Sequence, residues 1–515
     1  MEEGTIFKAQ DAPVGNTPPV GTPASPPTPI NTAPVQPLPS QPKPPDPIGS
    51  QFPTPPSAAP PPIPVDHGAG GFSKFPLKKI FKIFLGLLVI LGILFVIFAL
   101  LAPRLRGEKS TGLVTITYWG LWEDQNVMNS ITSDFEKENP NIKIKYSKED
   151  PKNYREKLNA RIENGTGPDI FRFHNTWYPM LSGVLLPLPK ETIEKQEFAD
   201  KYYKVAKEDL IKNGAIYGIP LEIDTLSLFV STDLFDSASK EQGTVINVPT
   251  TWQEFIDSSA KLTKRDDNEK IIIAGAGLGV FENVLHAPDI ISLLFVQNGV
   301  DMKDITKSGT KILDALIFYT NFSLVENNVW DSTLDNSLQA FAGGKLAMFF
   351  GYSWDYFAIK ALNPNLNFRV VPVPQLLSTE KVNIASYWAE GVSAKTKHQK
   401  EALLFMKFLA KPETQEKLYA EESKTRLFGE PYSNKNLAEK LKNTESFIFV
   451  DQANTAVSSP FVSGTFDNGL NDKLNNYLKD AVNGILGNTS DETSLDGLFK
   501  GYSQVLGQYV TAPSQ

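Results

Sequence analysis

The chain has 515 residues, with 50 lysines and arginines against 58 aspartates and glutamates, and a net charge of −8. This balance gives no overall basic field, so nucleic acid is not an expected partner. The chain contains no cysteine, which excludes disulfides, thiolate metal sites, cysteine nucleophiles and a lipidated cysteine anchor. The four histidines form no HExxH pair, and neither a metal site nor a cofactor is expected.

The N-terminal segment, residues 1–73, is rich in proline: 21 of the 39 prolines lie between residues 11 and 64. Few aliphatic residues accompany them, so the segment cannot bury a core and is predicted to be disordered. Two interpretations stay open for it. It is either a polyproline spacer or a ligand for a proline-reading domain.

Residues 83–102, IFLGLLVILGILFVIFALLA, form a run without charge. As a helix this run would span about 30 Å, the thickness of the hydrocarbon core of a bilayer. It is longer than a usual signal-peptide core and lacks a small-residue cleavage site after Ala102, so it predicts an uncleaved transmembrane anchor. Four lysines precede it and three cations follow it. This bias favours a single-pass cell-membrane protein with a cytoplasmic N-terminus and residues 113–515 outside the cytoplasm.

The region after the anchor alternates between strand and helix patterns. A period-two pattern at 114–119 predicts a strand, and apolar residues at four-residue spacing across 127–135 predict the helix that follows. The same reasoning predicts further elements, namely strands at 142–146 and 169–173 and a helix at 402–409. This alternation is typical of an α/β fold with largely parallel sheets covered by helices. A region of about 400 residues is long enough to divide into two lobes.

Eight sequence segments of this region occur in a recognisable order. They are ITYWGLWED (116–124), GTGPDIFRFHNTW (165–177), GVLLPLP (183–189), GAIYGIPLEIDTLSLFVSTDLF (214–235), VPTTWQEF (248–255), AFAGGKLAMFFGYSW (340–354), VVPVP (370–374) and SYWAEGVSAKTKHQKEALLFMKFLAKPETQ (386–415). In this order they resemble the extracellular solute-binding proteins of ABC transporters, in the carbohydrate-binding class that includes maltose-binding protein. The resemblance covers about 113–425, with a helical tail to residue 515.

The resemblance implies a two-lobed α/β clamp of the periplasmic-binding-protein type over residues 113–515. The first lobe is expected at about 113–225 and 386–425, and the second at about 230–380 and 430–510. Strands that cross near 224–231 and 381–388 would form the hinge between the lobes. Such a clamp closes over a small-molecule solute and performs no chemistry on it, so no enzyme activity is expected. The implied partners are ABC permease subunits, and a monomer is expected.

The chemistry of a sugar indicates which side chains would bind it. Its C–H faces pack on aromatic rings, and its hydroxyls need directional polar groups. Open α/β sheets bind ligands where their strands end. These considerations and the resemblance predict the ligand contacts Trp122, Glu123, His174, Asn175, Trp177, Asp224, Tyr352, Trp354 and Trp388. Among relatives, Asp224 corresponds to an acidic contact beside the hinge and Trp354 to a sugar-stacking aromatic, a role open to Tyr352 as well.

The predicted anchor and proline-rich segment depart from the family pattern of a cleaved signal or a lipidated cysteine. The expected function is a membrane-anchored protein that captures a sugar or oligosaccharide and delivers it to an ABC importer. A tethered ligand-sensing receptor of the same fold is one alternative. Another is a polyamine binder, because Glu123 and Asp224 are acidic. An extracellular enzyme or adhesin acting on polysaccharide is a third, for which the sequence offers no catalytic pattern.

Overall fold

The computed structural model describes most of the chain after residue 111, namely residues 112–324, 328–376, 381–462, 465, 467–487 and 489–509. The predicted proline-rich segment (1–73) and transmembrane helix (83–102) lie outside these residues. Within the described part, no helix is long and apolar enough to cross a membrane. Two separate hydrophobic cores divide this part into two α/β lobes, lobe 1 and lobe 2.

Fifteen strands are described. In chain order they are β1 (Val114–Gly120), β2 (Ile142–Lys148), β3 (Ile170–His174), β4 (Ile211–Lys212), β5 (Ala215–Ile216), β6 (Ile219–Pro220), β7 (Asp224–Thr225), β8 (Ser227–Ser231), β9 (Lys264–Arg265), β10 (Ile271–Ala276), β11 (Leu346–Gly351), β12 (Phe368–Val371), β13 (Asn383–Ser386), β14 (Trp388–Val392) and β15 (Ala456–Val457).

The α-helices cover the faces of the sheets. Those described are α1 (Gln125–Glu138), α2 (Tyr154–Glu163), α3 (Tyr178–Leu181), α4 (Lys195–Lys201), α5 (Lys204–Leu210), α6 (Thr232–Gln242), α7 (Trp252–Leu262), α8 (Ala287–Gln297), α9 (Gly309–Thr320), α10 (Ser337–Ala342), α11 (Ser353–Leu362), α12 (Gln399–Leu409), α13 (Pro412–Glu422), α14 (Phe447–Asp451), α15 (Leu470–Leu486) and α16 (Asp491–Gly507).

Local sequence pattern explains the first elements of lobe 1. Ile116 and Tyr118 alternate along β1 and are both buried, while α1 buries Val127, Ile131 and Phe135 at four-residue spacing. A strand places alternate residues on one face, and a helix does so with every third or fourth residue. The predictions for β1 and α1 are therefore confirmed, since the same residues form the core of lobe 1.

Each lobe has one five-stranded sheet, in the order β2-β1-β3-β14-β6 in lobe 1 and β12-β8-β11-β10-β9 in lobe 2. β1 is parallel to β2 and β3, and β10 is parallel to β11, but β14 and β8 run antiparallel to both of their neighbours. The expectation of largely parallel sheets is therefore wrong. The antiparallel pairs have two sources. β14 and β8 each follow a strand of the hinge sheet and enter a lobe from the hinge, and β9 pairs with the next strand along the chain, β10, through a short connection.

The hinge is a three-stranded sheet in the order β15-β13-β7, here called the hinge sheet. The chain changes core at each of its strands. Ile223 belongs to the core of lobe 1 and Leu226 to that of lobe 2, while Ile384 and Ala385 divide between the cores in the reverse direction. The crossings predicted near 224–231 and 381–388 are both present as β7 and β13, and β15 adds a third.

Candidate ligand-binding site

Four of the predicted residues meet in lobe 1 where β3 ends and β14 begins, and we call them the aromatic cluster: Trp122, His174, Trp177 and Trp388. Trp388 begins β14 and lies opposite His174, the last residue of β3. Its ring centroid lies 5.4 Å from that of Trp122, 5.1 Å from that of His174 and 5.1 Å from that of Trp177, each edge to face. Trp122 is partly exposed, and the other three side chains are buried.

His174 contributes a neutral polar group to this cluster. Its Nδ1 lies 2.8 Å from the hydroxyl of Thr176, and its Nε2 lies 3.0 Å from the hydroxyl of Ser386 in the hinge sheet. Burial lowers the pKa of His174 to about 3. The imidazole is thus uncharged at neutral pH, and its Nε2 links the end of β3 to the hinge sheet.

Asn175 lies inside the protein in a polar network beside the hinge. Its Nδ2 donates to Ser458 (2.7 Å) and to Asp209 (3.1 Å), while its Oδ1 accepts from the backbone N–H of Tyr387 (3.3 Å). The hydroxyl of Tyr387 also donates to Asp209 (2.8 Å). Sequence reasoning missed Asp209, because a carboxylate in helix α5 carries no spacing or motif that marks it. In this structure the polar atoms of Asn175 bind protein groups, and a ligand contact stays a prediction.

Glu123 does not lie where the sequence predicts it. Its side chain is 1% exposed, and its Oε1 lies 2.5 Å from Nη1 of Arg172, a buried residue of β3. The prediction of a ligand-facing carboxylate is corrected by this geometry. The buried guanidinium attracts the carboxylate into lobe 1, because a buried charge requires a partner of opposite sign.

Asp224 links the hinge sheet to lobe 2. Its Oδ1 accepts from the N–H of Thr225 (2.8 Å), and its Oδ2 accepts from the N–H of Ser353 (2.9 Å), the first residue of α11. A carboxylate at a helix N-terminus is favoured by the free N–H groups and the helix dipole. Burial raises the pKa of Asp224 well above its ordinary value. Both oxygens therefore have structural partners here, and its ligand contact stays a prediction.

Lobe 2 contributes a stacked aromatic pair. The rings of Tyr352 and Trp354 lie 4.5 Å apart at 16°. Tyr352 is buried and donates its hydroxyl hydrogen bond to Asp289 (2.6 Å), whereas Trp354 is 41% exposed. The ring of His286 lies 5.2 Å from that of Tyr352, edge to face, and its Nε2 lies 2.8 Å from Asp355 Oδ2. The structure thus fixes one face of Trp354 on Tyr352 and leaves part of the indole open to a ligand.

His286→Gln is expected to change the pH dependence of stability. Burial alone would lower the pKa of His286, but Asp355 and Asp289 raise it to about 10 from the ordinary 6.5. The stabilisation from the charged imidazole is therefore complete below pH 6.5 and is lost as pH rises towards 10. Denaturant titrations should show wild type losing up to about 1.4 kcal/mol per pH unit relative to the variant in this window.

His174→Gln provides the control with the opposite sign. Because the pKa of His174 is lowered to about 3, its contribution should be complete above pH 6.5 and should fall as the solution becomes more acidic. A difference between wild type and His286→Gln that stays constant from pH 6.5 to 10 would contradict the charged state assigned to His286.

A three-stranded hinge joins the two α/β lobes, and aromatic side chains lie on both sides of it. This arrangement defines a two-lobed binding protein of the periplasmic type. The chain belongs to the bacterial extracellular solute-binding protein family, whose family model matches residues 119–416. The resemblance stated from the sequence motifs is confirmed by this match. The predicted anchor, residues 83–102, lies outside the matched region.

Relatives and solved structures agree with this assignment. The multiple sugar-binding protein of Streptococcus mutans is 25% identical over 359 residues, covering 65% of this chain and 80% of that protein. The galactooligosaccharide-binding protein of Bacillus subtilis is 24% identical over 320 residues, covering 58% and 70%. The sugar-binding protein MalE from Xanthomonas citri superposes with a TM-score of 0.61 at 18% identity, covering 77% of this chain and 98% of that one. A cyclo/maltodextrin-binding protein complexed with maltotetraose superposes with a TM-score of 0.59 at 19% identity, covering 79% of this chain and 100% of that one. At such identities the structural likeness shows the fold alone.

Proposed function

We propose that residues 113–515 bind a sugar or oligosaccharide between the two lobes and deliver it to the permease subunits of an ABC importer. The protein acts as a monomer, anchored by residues 83–102 with its N-terminus in the cytoplasm, and it does not alter its ligand chemically. The names of the similar proteins support a carbohydrate ligand, since they include a multiple sugar-binding and a galactooligosaccharide-binding protein.

One observation carries the proposal: a short series of contacts joins the aromatic residues of both lobes across the hinge. His174 Nε2 lies 3.0 Å from Ser386 Oγ. Ser386 pairs with Asp224 in the hinge sheet. Asp224 accepts from the N–H of Ser353 at 2.9 Å, and the next residue is the exposed Trp354. The aromatic cluster and Trp354 therefore flank the same hinge, where closure of the lobes would enclose a ligand.

The residue types on both sides of the hinge suit a neutral sugar. Aromatic faces pack against C–H groups, and none of the nine predicted contacts is a lysine or arginine, the residues expected in a phosphate site. His174 is neutral because of its lowered pKa. Ligand binding would shift the lobes towards a closed form by its difference in affinity for the open and closed states.

A ligand screen on the purified full chain tests the proposal. Thermal unfolding would be followed with monosaccharides and oligosaccharides, polyamines and glycerol phosphates. A saccharide at 100 times its Kd should stabilise the protein by about 2.7 kcal/mol and raise Tm visibly. Stabilisation by a polyamine but by no saccharide would leave the fold assignment unchanged and would identify a polyamine, not a sugar, as the ligand. No hit among the saccharides would contradict the proposal.

Trp354→Ala is expected to weaken saccharide affinity by about 2 kcal/mol, roughly 30-fold in Kd, as for a buried aromatic anchor of an interface. The Tm of the unliganded chain should change little, because Trp354 is 41% exposed. Isothermal titration calorimetry measures the affinity. Leu362→Ala is the matched control, since Leu362 is 60% exposed on the same helix. Equal saccharide affinities in the two variants would show that Trp354 does not contribute to the binding site.

A further inference from the structure

A group of charged side chains inside lobe 1 carries a second inference, independent of the proposed function. We call it the acidic cluster, and its members are Glu123, Glu390, Glu422 and Glu430 with Arg172 and Arg426. Glu123 follows β1, Glu422 ends α13, and Glu430 lies in the loop after that helix. The fold thus brings together side chains from the two ends of lobe 1's sequence.

The two arginines neutralise only part of the negative charge. Arg172 lies 2.5 Å from Glu123 and 2.6 Å from Glu390, measured between Nη and Oε1 atoms. Arg426 lies 2.8 Å from Glu422 Oε2 and 3.3 Å from Glu430 Oε1. With all groups ionised, four carboxylates and two guanidinium groups leave a net charge of −2.

Carboxylate oxygens of three members of the acidic cluster lie close together. One oxygen from each of Glu123, Glu422 and Glu430 lies within 4.8 Å of the other two. In the described part of the chain, Glu422 Oε1 and Glu123 Oε2 are buried and have no hydrogen-bond partner. The Glu422 side chain is 3% exposed. Buried anionic oxygens without a donor are costly, so a positive ligand at this point would stabilise the fold.

We propose that Glu123, Glu422 and Glu430 bind a divalent cation, with Ca²⁺ as the preferred ion. Ca²⁺ takes oxygen ligands at 2.3–2.6 Å, so oxygens on opposite sides of the ion are up to about 5 Å apart. This separation accommodates the observed spacing, and the charge of the ion balances the excess of −2. Mg²⁺ requires a smaller and more regular site. Glu430, whose side chain is 17% exposed, gives the ion a route from solvent.

The cation links the end of β1 to α13 and the loop that follows it. Because Glu123 is adjacent to Trp122, the ion also fixes the segment that carries one ring of the aromatic cluster. Sequence reasoning predicted no metal site, since the ligands at positions 123, 422 and 430 are too far apart in the chain to form a recognisable spacing.

The experiment uses the full chain, purified with a chelator and then dialysed free of it. We expect Ca²⁺ to bind with a stoichiometry of one per chain, measured by calorimetry and by elemental analysis after gel filtration. It should raise Tm more than Mg²⁺ does at equal concentration, and potassium chloride of equal ionic strength should not reproduce the rise. Tb³⁺ should bind in place of Ca²⁺ and emit on tryptophan excitation, because Trp122 is next to a ligand.

Glu422→Gln and Glu430→Gln should each weaken Ca²⁺ binding by at least about 10-fold, as loss of even an outer-shell partner commonly does. The control is Glu421→Gln, whose carboxylate pairs with Lys424 on the surface. Glu430 is the less buried ligand, so its variant tests the site if Glu422→Gln does not fold. Absence of Ca²⁺ uptake by wild type, or equal uptake by the ligand variants and the control, would overturn the proposal. So would a Glu422→Gln chain that is more stable than wild type in saturating Ca²⁺, because it would show that protonated carboxyl groups occupy the site.

Discussion

Arg172→Met is expected to lower the free energy of unfolding by about 3–5 kcal/mol, the usual effect of removing one partner from a buried ion pair. Arg172 is fully buried, and its guanidinium contacts the carboxylates of both Glu123 and Glu390. Methionine fills much of the same volume but leaves two negative charges without their partner. Urea denaturation in the presence of a chelator measures the loss without a contribution from a bound cation.

The pH dependence of this loss follows from the same contacts. Burial raises the pKa of Glu390 to about 7 even with Arg172 beside it. Without the guanidinium, the carboxylates of the folded variant should take up protons more readily, so the destabilisation should be smaller at pH 5 than at pH 8. Adding Glu123→Gln and Glu390→Gln to Arg172→Met should restore part of the stability.

Arg369→Met is the matched control, since Arg369 is an exposed residue of β12. Its effect should stay within about 0.5 kcal/mol, as is usual for surface substitutions. An equally small effect of Arg172→Met would show that the buried ion pairs contribute little to the stability of lobe 1.

Trp388→Ala is expected to lower the free energy of unfolding by about 3–5 kcal/mol, the usual range for a buried tryptophan replaced by alanine. The indole is almost fully buried and contacts the rings of Trp122, His174 and Trp177. Its removal would open a cavity at the centre of the aromatic cluster. Saccharide affinity should fall as well, because the neighbouring rings lose the side chain that orients them.

Trp388→Phe distinguishes the effect of lost packing on stability from the effect of a changed site shape on saccharide affinity. It should retain more stability than the alanine variant, because a ring still fills much of the cavity. Chemical denaturation and calorimetry would be carried out on both variants. A stability unchanged by Trp388→Ala would mean that the ring is not packed as the structure shows, and the assignment of the aromatic cluster to a ligand site would lose its basis.

The local sequence pattern was sufficient to predict some strands and helices and insufficient to predict others. β1 and α1 were predictable because their buried residues repeat at intervals of two and four, and the motif order correctly indicated a two-lobed fold. The third hinge strand, Ala456–Val457, was not predicted because two residues are too few to show a period. Sheet direction was also missed, because the strand β14 that joins β3 arrives only after the chain has passed through lobe 2.

Some features of the candidate site could likewise be predicted from the sequence, and others could not. Trp122 and Trp177 were predicted from residue type and their positions after strands, and Trp388 from its position at the return crossing. The structure brings the three rings together. The burial of Glu123 was not predicted, because its ion-pair partner Arg172 lies far from it in the sequence. Asp224 was correctly expected beside the hinge, but its two backbone donors could not be inferred before the position of α11 was known.

The position of β14 has a consequence for biosynthesis. In the sheet of lobe 1, β14 lies between β3 and β6, although residues 227–371 supply all the strands of the lobe 2 sheet first. As the chain is made from its N-terminus, β3 and β6 are synthesised long before the strand that separates them. Their edges stay open to wrong pairing until residue 392 has emerged. The sheet of lobe 2 can therefore be complete before that of lobe 1, although the synthesis of lobe 1 begins first.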